Sequence, residues 1–461
     1  MTNYTSYIAE YIADTIYEDL SPEVIMRVKL YIIDNLSNMI GGGELEPAKI
    51  IQDIFNQYGG ENQATVFSNG KKIPAPHAAY INSFLSNMLD FDDTYKSFAH
   101  PGATVIPPSW AIAEKEQKTG KDLITAVALG YELSIRIGLS IYPSPNRRDK
   151  VWGFATWQTL GTAISTSKLL NLNKIQICDA LGIAGMSAPL PAVRKLGMEP
   201  TERPFTWIKN NYGWSAMSGV FASELASKKI IGNRSILDGE NGFWIMAGSD
   251  QVDFKALTSN LGVKNLLEEV SFKPYAACRW SHSAIDAANK IRYKHGDLTN
   301  KIQSINISTF KEAKRSLSES HPKNIIDAQF SLPYLISLEL YNKSAAHGLS
   351  ESDLYNSDII YLSNLVYLTV DEKFEYQFIT QDKMVSQIEI TLNSGKTISQ
   401  YVDYPKGDPK NPITKTEIEQ KFINLVSSKF SEQLSEQIIE DILNLEEINN
   451  ISNLIESWYE Q

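Results

Sequence analysis

The sequence predicts a mainly α-helical protein: a large all-helical domain, residues 1–266 and 402–461, with a smaller α+β domain, residues 267–401, inserted into it. Three observations carry that reading. Apolar residues recur at helical spacing through the first two-thirds of the chain. The texture changes near residue 267, where VSFKPYAACRW is aromatic and irregular and KIQSINISTF alternates like a strand. Beyond PKGDPKNP, whose prolines and glycine mark a boundary, the helical pattern returns. At 461 residues the chain is too long for one ordinary core, so at least two domains are expected.

The elements follow in order. Ser21 is placed to N-cap a helix with Pro22 in its first turn. Val24, Val28, Ile32, Leu36 and Ile40 form its apolar stripe, and Gly41-Gly42-Gly43 stop it. Asn69-Gly70 in TVFSNGKKI is a hairpin turn signal. Helix resumes in HAAYINSFLSNMLDF and again in SWAIAEKEQKTGKDLITAVALGYELSIRIGLSI, broken near Gly120. WQTLGTAISTSKLLNL and GWSAMSGVFASELASKKI are rich in small residues, as closely packed helices are. In the second domain a helix is expected at SAIDAANKIRYKH, and a hairpin in SQIEITLNSGKTISQYV turning at Ser394-Gly395. EIEQKFINLVSSKF and EQLSEQIIEDILNL supply the helices of the tail.

Composition narrows the function classes. Hydrophobic residues at 43% and charged residues at 21% are those of a soluble globular protein. A net charge of −11 argues against nucleic acid or an anionic membrane as partner, and any anionic ligand needs a local basic pocket. Two cysteines, Cys178 and Cys278, rule out a disulfide framework and any cluster held by four thiolates of one chain. The N-terminus MTNYTSYIAEYIADTIYEDL carries acids where a signal peptide carries lysine or arginine, and no run of about 18 apolar residues is evident. Neither a leader nor a membrane span is therefore expected, and a cytoplasmic location is the default.

The stretch DFDDTYKSFAHPG, residues 90–102, concentrates chemistry. Were helix to persist to Thr94, Asp90, Asp93 and Thr94 would share a face and Asp92 would point elsewhere. Carboxylates on one helix face repel, so helix stability alone does not account for them. Desolvation of one Asp would raise its pKa toward that of a useful general base. His100 precedes Pro101 and is pushed toward an extended backbone, so helix cannot run through it. Gly102 lets the backbone approach a ligand closely. The alternative is a solvated helix end with a loop histidine. The spacing also resembles the magnesium sites of helical isoprenoid synthases, but DxDD is not DDxxD and no second acidic cluster accompanies it, so no metal site is expected.

Continued as HPGATVIPPSWAIAEKE, the stretch resembles the 2-methylcitrate dehydratase and cis-aconitate decarboxylase family (MmgE/PrpD type). HAAYINSFLSNMLDFDD, TGKDLITAVALGYELSIRIG, GWSAMSGVFASELASKKIIGNRSILDGENGFW, KPYAACRWSHSAIDAA, DAQFSLPY and PKGDPKNP are similar to further landmarks of that family in its order. The resemblance thus covers nearly the whole chain. It implies a helical domain with an α+β lid and the site between them. It also implies a small anionic di- or tricarboxylate substrate such as 2-methylcitrate, no metal or organic cofactor, and a homodimer.

Carried over motif by motif, the resemblance implies catalytic roles for Asp90, Thr94, His100, Lys209 and Tyr334, and substrate binding by Lys273, Arg279 and His282. Asp90 or His100 would move the proton on the carbon next to a carboxylate, and Thr94 would hold a substrate oxygen. Lys209, Lys273 and Arg279 would face the charge that develops there. Cys278 lies beside basic residues, yet the family chemistry needs no thiolate. Trp207, Trp214 and Trp280 are candidates for the cleft wall or for the core. One departure stands out. Many family members carry a second site histidine before the GTLG-like helix, whereas VWGFATWQTLG has none and Trp152 or Ala155 takes its place. The expected activity is a hydro-lyase. The departure keeps open a decarboxylase or epimerase on a related carboxylate, and a catalytically inactive homologue that binds a metabolite.

Overall fold

The computed structural model describes residues 3–193, 197 and 199–459. The protein is mainly α-helical. Its longer helices are α1 (Tyr4–Asp14), α2 (Pro22–Gly41), α3 (Glu46–Asn56), α4 (Ala75–Met88), α5 (Pro101–Lys115), α6 (Gly120–Ser140), α7 (Phe154–Leu169), α8 (Lys174–Ser187), α9 (Tyr212–Ser227), α10 (His282–His295), α11 (Leu332–Leu340), α12 (Glu372–Gln381), α13 (Lys415–Val426), α14 (Glu432–Leu443) and α15 (Ile451–Tyr459). Sheet structure is local in the first part: a hairpin of β1 (Ala64–Val66) and β2 (Lys71–Ile73), and a short pair of β3 (Val151–Trp152) and β4 (Ala192–Val193). A larger sheet is made of β5 (Ile302–Thr309), β6 (Val366–Val370), β7 (Ser386–Leu392) and β8 (Thr397–Val402), in the order β6-β5-β7-β8. β5 and β6 run parallel; β5–β7 and β7–β8 are antiparallel. Helix α10 packs on β7 and β8.

Helix α6 lies at the centre of the helical part, against α2, α5 and α7, and α9 closes on α4, α7 and α8. By length and composition α6 could cross a membrane, which corrects the expectation that no such run exists; 94% of its apolar window is buried inside the protein, where an Arg136–Glu132 ion pair sits on it. It is a core helix. The small residues of α7 and α9 serve close packing: a Cβ on Gly219 would lie 2.5 Å from Thr162 Cβ. Ser21 Oγ accepts from Val24 N at 3.2 Å and caps α2, whose stripe from Val24 to Ile40 is buried. Pro107 and Pro108 lie inside α5. Pro108 has no N–H for the Thr104 carbonyl, and Thr162 Oγ1 of α7 donates to it instead. In the tail, α13 and α14 pack on α2 and α15 packs on α5.

Two departures from the sequence reading bear on the site. Helix α4 ends at Met88, and Leu89–His100 is irregular, so Asp90, Asp93 and Thr94 do not share a helix face. Helix α5 starts at Pro101, ahead of the expected SWAIAEKE start, because proline in the first turn gives up only an N–H that has no helical partner.

Candidate active site

The backbone leaves α4 through Asp90, which takes a left-handed conformation with φ of 51°. Aspartate tolerates that region better than most residues. Lys273 holds it there: its Nζ donates to Asp90 O at 2.8 Å and lies 3.3 Å from Asp90 Oδ2. Lys209 Nζ donates to Asp90 Oδ1 at 2.9 Å and to Gln329 Oε1 at 3.0 Å. All three charged groups are buried, Lys273 completely. Burial alone would raise the Asp90 pKa; Lys209, then Lys273 and His100, overturn it and hold the carboxyl well below the usual carboxylate range. At Asp90 the upward shift that burial favours is thus reversed by two ammonium groups, and of the three aspartates it is Asp93 that takes the expected upward shift. Burial pushes the Lys209 ammonium down, opposed by Asp90.

The rest of the loop is anchored carboxylate by carboxylate. Asp92 accepts from Asn87 Nδ2 at 2.9 and 3.1 Å and pairs with His100 Nδ1 at 3.1 Å. Burial opposes its charge, but His100 and then Lys273 keep Asp92 below its ordinary value. An ionised Asp92 accepts, so Nδ1 of His100 carries the proton and Nε2 is left for the cavity. Gln158 fixes the His100 backbone, accepting from its N at 3.2 Å and donating to its O at 2.7 Å. Asp93 accepts from Gly102 N at 3.0 Å and from the Tyr131 hydroxyl; burial pushes its carboxyl up to about 8. Thr94 exchanges backbone hydrogen bonds with Ser271, two residues before Lys273, which stitches the loop to the segment carrying that lysine. Thr94 Oγ1 is buried with no hydrogen-bond partner among the described residues.

Asp90, Thr94, His100, Lys209, Lys273 and Arg279 line a common cavity. Arg279 is buried and donates to Asp408 Oδ2 at 3.3 Å. An aromatic wall of Phe98, Trp152, Phe154, Phe205, Trp280 and Phe330 lines the same cavity, with Lys209 Nζ 5.3 Å over the Phe330 ring, and Lys96, Ser97 and Asn210 add polar groups. Arg203 shapes part of that wall by donating to Asp327 Oδ1 at 2.6 Å and Phe330 O at 2.8 Å, so that Phe205 stacks on Phe330 at 3.9 Å.

Two residues named from the sequence lie elsewhere. His282 is fully buried behind Arg279, its Nε2 3.1 Å from Ala277 O; burial, then Arg279, holds it well below its ordinary pKa, so it is a neutral support. Tyr334 is buried in α11 and is not part of the cavity wall. Gln329, earlier in the same DAQFSLPY stretch, reaches the site instead. Cys278 does line the cavity, but burial and then Asp90 push its thiol up to about 12, so its neighbouring basic residues do not make it a thiolate. At the departure from the family pattern it is Trp152, not Ala155, that meets the cavity, and Trp280 joins it; Trp207 and Trp214 are part-exposed elsewhere. Sequence reasoning missed Asp92, Gln158, Gln329 and Asn210, since each acts by a contact the local spacing does not signal.

A mainly helical protein with a buried carboxylate held by two lysines, beside an aspartate-backed histidine, defines the class. Residues 6–255 match the MmgE/PrpD N-terminal domain and residues 275–446 the MmgE/PrpD C-terminal domain, so the chain belongs to the MmgE/PrpD family. It is 26% identical over 464 residues to the human protein named cis-aconitate decarboxylase, covering 94% of this chain and 90% of that one. It is 24% identical over 479 residues to the Aspergillus terreus protein of the same name, covering 98% and 95%. The mouse protein of that name is 26% identical over 455 residues, covering 94% and 89%.

Proposed function

We propose that the protein is a lyase that releases carbon dioxide from a small unsaturated polycarboxylate of the cis-aconitate kind. The observation that carries this reading is the Asp90–Lys209–Lys273 cluster in the cavity that His100 also lines. The names of the relatives move the reading from loss of water, the sequence expectation, to loss of carbon dioxide.

In such a substrate the departing carboxylate sits on a carbon next to the double bond. The carbon–carbon bond to it breaks, and its electron pair moves through the allylic system onto the carboxylate conjugated at the far end. Carbon dioxide leaves, and a proton is added at the carbon beside that carboxylate, so the double bond shifts by one position. One proton is consumed per carbon dioxide released. An ammonium group has three donors, and Lys209 directs two of its own at Asp90 and Gln329. The remaining one, together with Lys273 and Thr94 Oγ1, serves the substrate carboxylates and the charge that grows on them. Asp90 stays ionised and locks both lysines in place rather than trading protons. His100 delivers the proton from Nε2 while Asp92 steadies the imidazolium through Nδ1.

The test is purified protein with cis-aconitate in deuterated water, followed by carbon dioxide release and by NMR. One deuterium at the new methylene is expected. His100→Ala should lower kcat by about 10²–10⁴. Loss of water from citrate or methylcitrate, with no carbon dioxide from cis-aconitate, would return the protein to the hydro-lyases.

A further inference from the structure

A second cavity adjoins the one described above. Lys96 and Arg279 line both, and Glu269, Asp382, Lys383 and Lys410 line the second. The turn that carries Lys96 is fixed on either side. Thr94 is bridged to Ser271, Tyr95 N donates to Ala99 O at 2.9 Å, and Ser97 Oγ donates to Asp382 Oδ1 at 2.6 Å. Lys96 itself takes a left-handed conformation, φ of 50°, and its side chain is exposed.

The cations of the site cavity differ in how far they are matched. Lys209 and Lys273 share Asp90, and Arg279 has Asp408 at 3.3 Å. The Lys96 ammonium lies over the Tyr95 ring at 5.4 Å, and among the described residues no carboxylate contacts it. The acids around it are taken up in other ways: Glu269 holds Lys264 at 2.6 Å, and burial pushes the Asp382 carboxyl up. Arg279 Nε and Thr94 Oγ1 are also buried without a partner among the described residues. The reaction proposed above says which anion suits an unmatched cation. The carboxylate that receives the electron pair belongs with the lysine pair. The one that departs is held back by any cation paired with it, because its charge must leave it. The third stays charged throughout, so a cation on it opposes no step.

We infer that Lys96 is a substrate-binding residue whose ammonium takes the carboxylate of a tricarboxylate that neither departs nor receives the electron pair. This rests on the reading above, and unreactive probes separate the two. Propane-1,2,3-tricarboxylate and succinate are titrated calorimetrically into the intact protein. The wild type should prefer the tricarboxylate by at least about tenfold, and Lys96→Gln should remove most of that preference through weaker tricarboxylate binding alone. Lys96→Arg should keep it. Lys410→Gln takes the same charge from the second cavity and should keep it too. The inference is overturned by a wild type without the preference, by Lys96→Gln weakening both probes equally or neither, or by Lys410→Gln having the same effect as Lys96→Gln. Carbon dioxide release from cis-aconitate alongside any of those results would leave the proposed reaction standing and remove this role. A preference lost only on changing Lys96, with no carbon dioxide released, would do the reverse.

Discussion

Asp90, Asp92 and Asp93 are nearly adjacent, equally buried and chemically identical, yet they are held in opposite states. Two lysines hold Asp90 down, His100 holds Asp92 down, and Asp93 meets only the Tyr131 hydroxyl and the Gly102 amide, so burial raises it to about 8. The linkage for Asp93 has a definite sign. In the unfolded chain it ionises near its ordinary 3.8, whereas in the fold it keeps its proton up to about 8. The unfolded state therefore binds fewer protons between those values, and stability falls as pH rises from about 4 to about 8 and then levels. Asp93→Asn, which mimics the neutral acid, should remove that slope. The variant should gain on the wild type by on the order of a few kcal/mol between pH 5 and pH 8, read as the difference in thermal or urea unfolding. A wild-type-minus-variant difference that does not move with pH would contradict it. The residue types in this stretch were legible in the sequence, and so was their link to His100, Lys209 and Lys273 through family motifs. The direction of each shift was not, because it is set by partners such as Lys209 and Lys273, which lie 119 and 183 residues from Asp90.

At the scale of elements, the loop between α4 and α5 and the segment carrying Lys273 are held from behind by α13. Lys421 of that helix is buried; its Nζ donates to Asp34 Oδ1 at 2.6 Å, Phe91 O at 2.6 Å and Lys273 O at 3.2 Å. It also lies over the Phe91 ring at 3.8 Å. One ammonium thus fixes the backbone on either side of the Asp90–Lys273 contact. Lys421→Met strands the Asp34 carboxylate in the core and should cost about 3–5 kcal/mol in urea unfolding. Adding Asp34→Asn should return much of that stability, since the unpaired charge is gone. It should not restore kcat, because the Phe91 and Lys273 carbonyls still lack their donor. Recovery of kcat together with stability would show that Lys421 does no more than neutralise Asp34. The α13 helix itself was readable in EIEQKFINLVSSKF, and the structure adds its cap, Thr414, in a capping box with Glu417. A lysine in such a pattern reads as solvated; nothing local shows that α13 turns Lys421 inward onto α2. Likewise the β7–β8 hairpin was announced by Ser394-Gly395, while β6, paired in parallel to a strand far earlier in the chain, left no signal a turn could give.

For the whole molecule, the cavity is lined mostly by residues between Asp90 and Asn210 and completed by residues between Lys273 and Phe330, and PKGDPKNP is where a boundary was read. The structure gives it a second task. Residues 405–411 lie back across the segment that carries Lys273: Lys406 N donates to Asp286 Oδ2 at 2.7 Å, Asp408 receives Arg279, and Gly407, with φ of 88°, presses against Phe272. A Cβ on Gly407 would stand 2.1 Å from the Phe272 carbonyl oxygen, next to Lys273. A proline- and glycine-rich run is readable as a break in periodicity, but its packing partner is a tertiary fact that composition does not carry. Gly407→Ala should therefore do two things. It should cost about 1–2 kcal/mol for the left-handed backbone. It should also lower kcat/KM by at least about tenfold, as Phe272 moves and takes Lys273 off Asp90; a 1 Å misplacement far from the chemistry can cost 10²-fold. Gly395 provides the control, since it has a similar φ of 79° and open space around its Cβ position. Gly395→Ala should show the strain in its melting temperature with activity unchanged. If both variants lose stability equally and neither loses activity, the run is a tether only, and the position of Lys273 against Asp90 is set elsewhere.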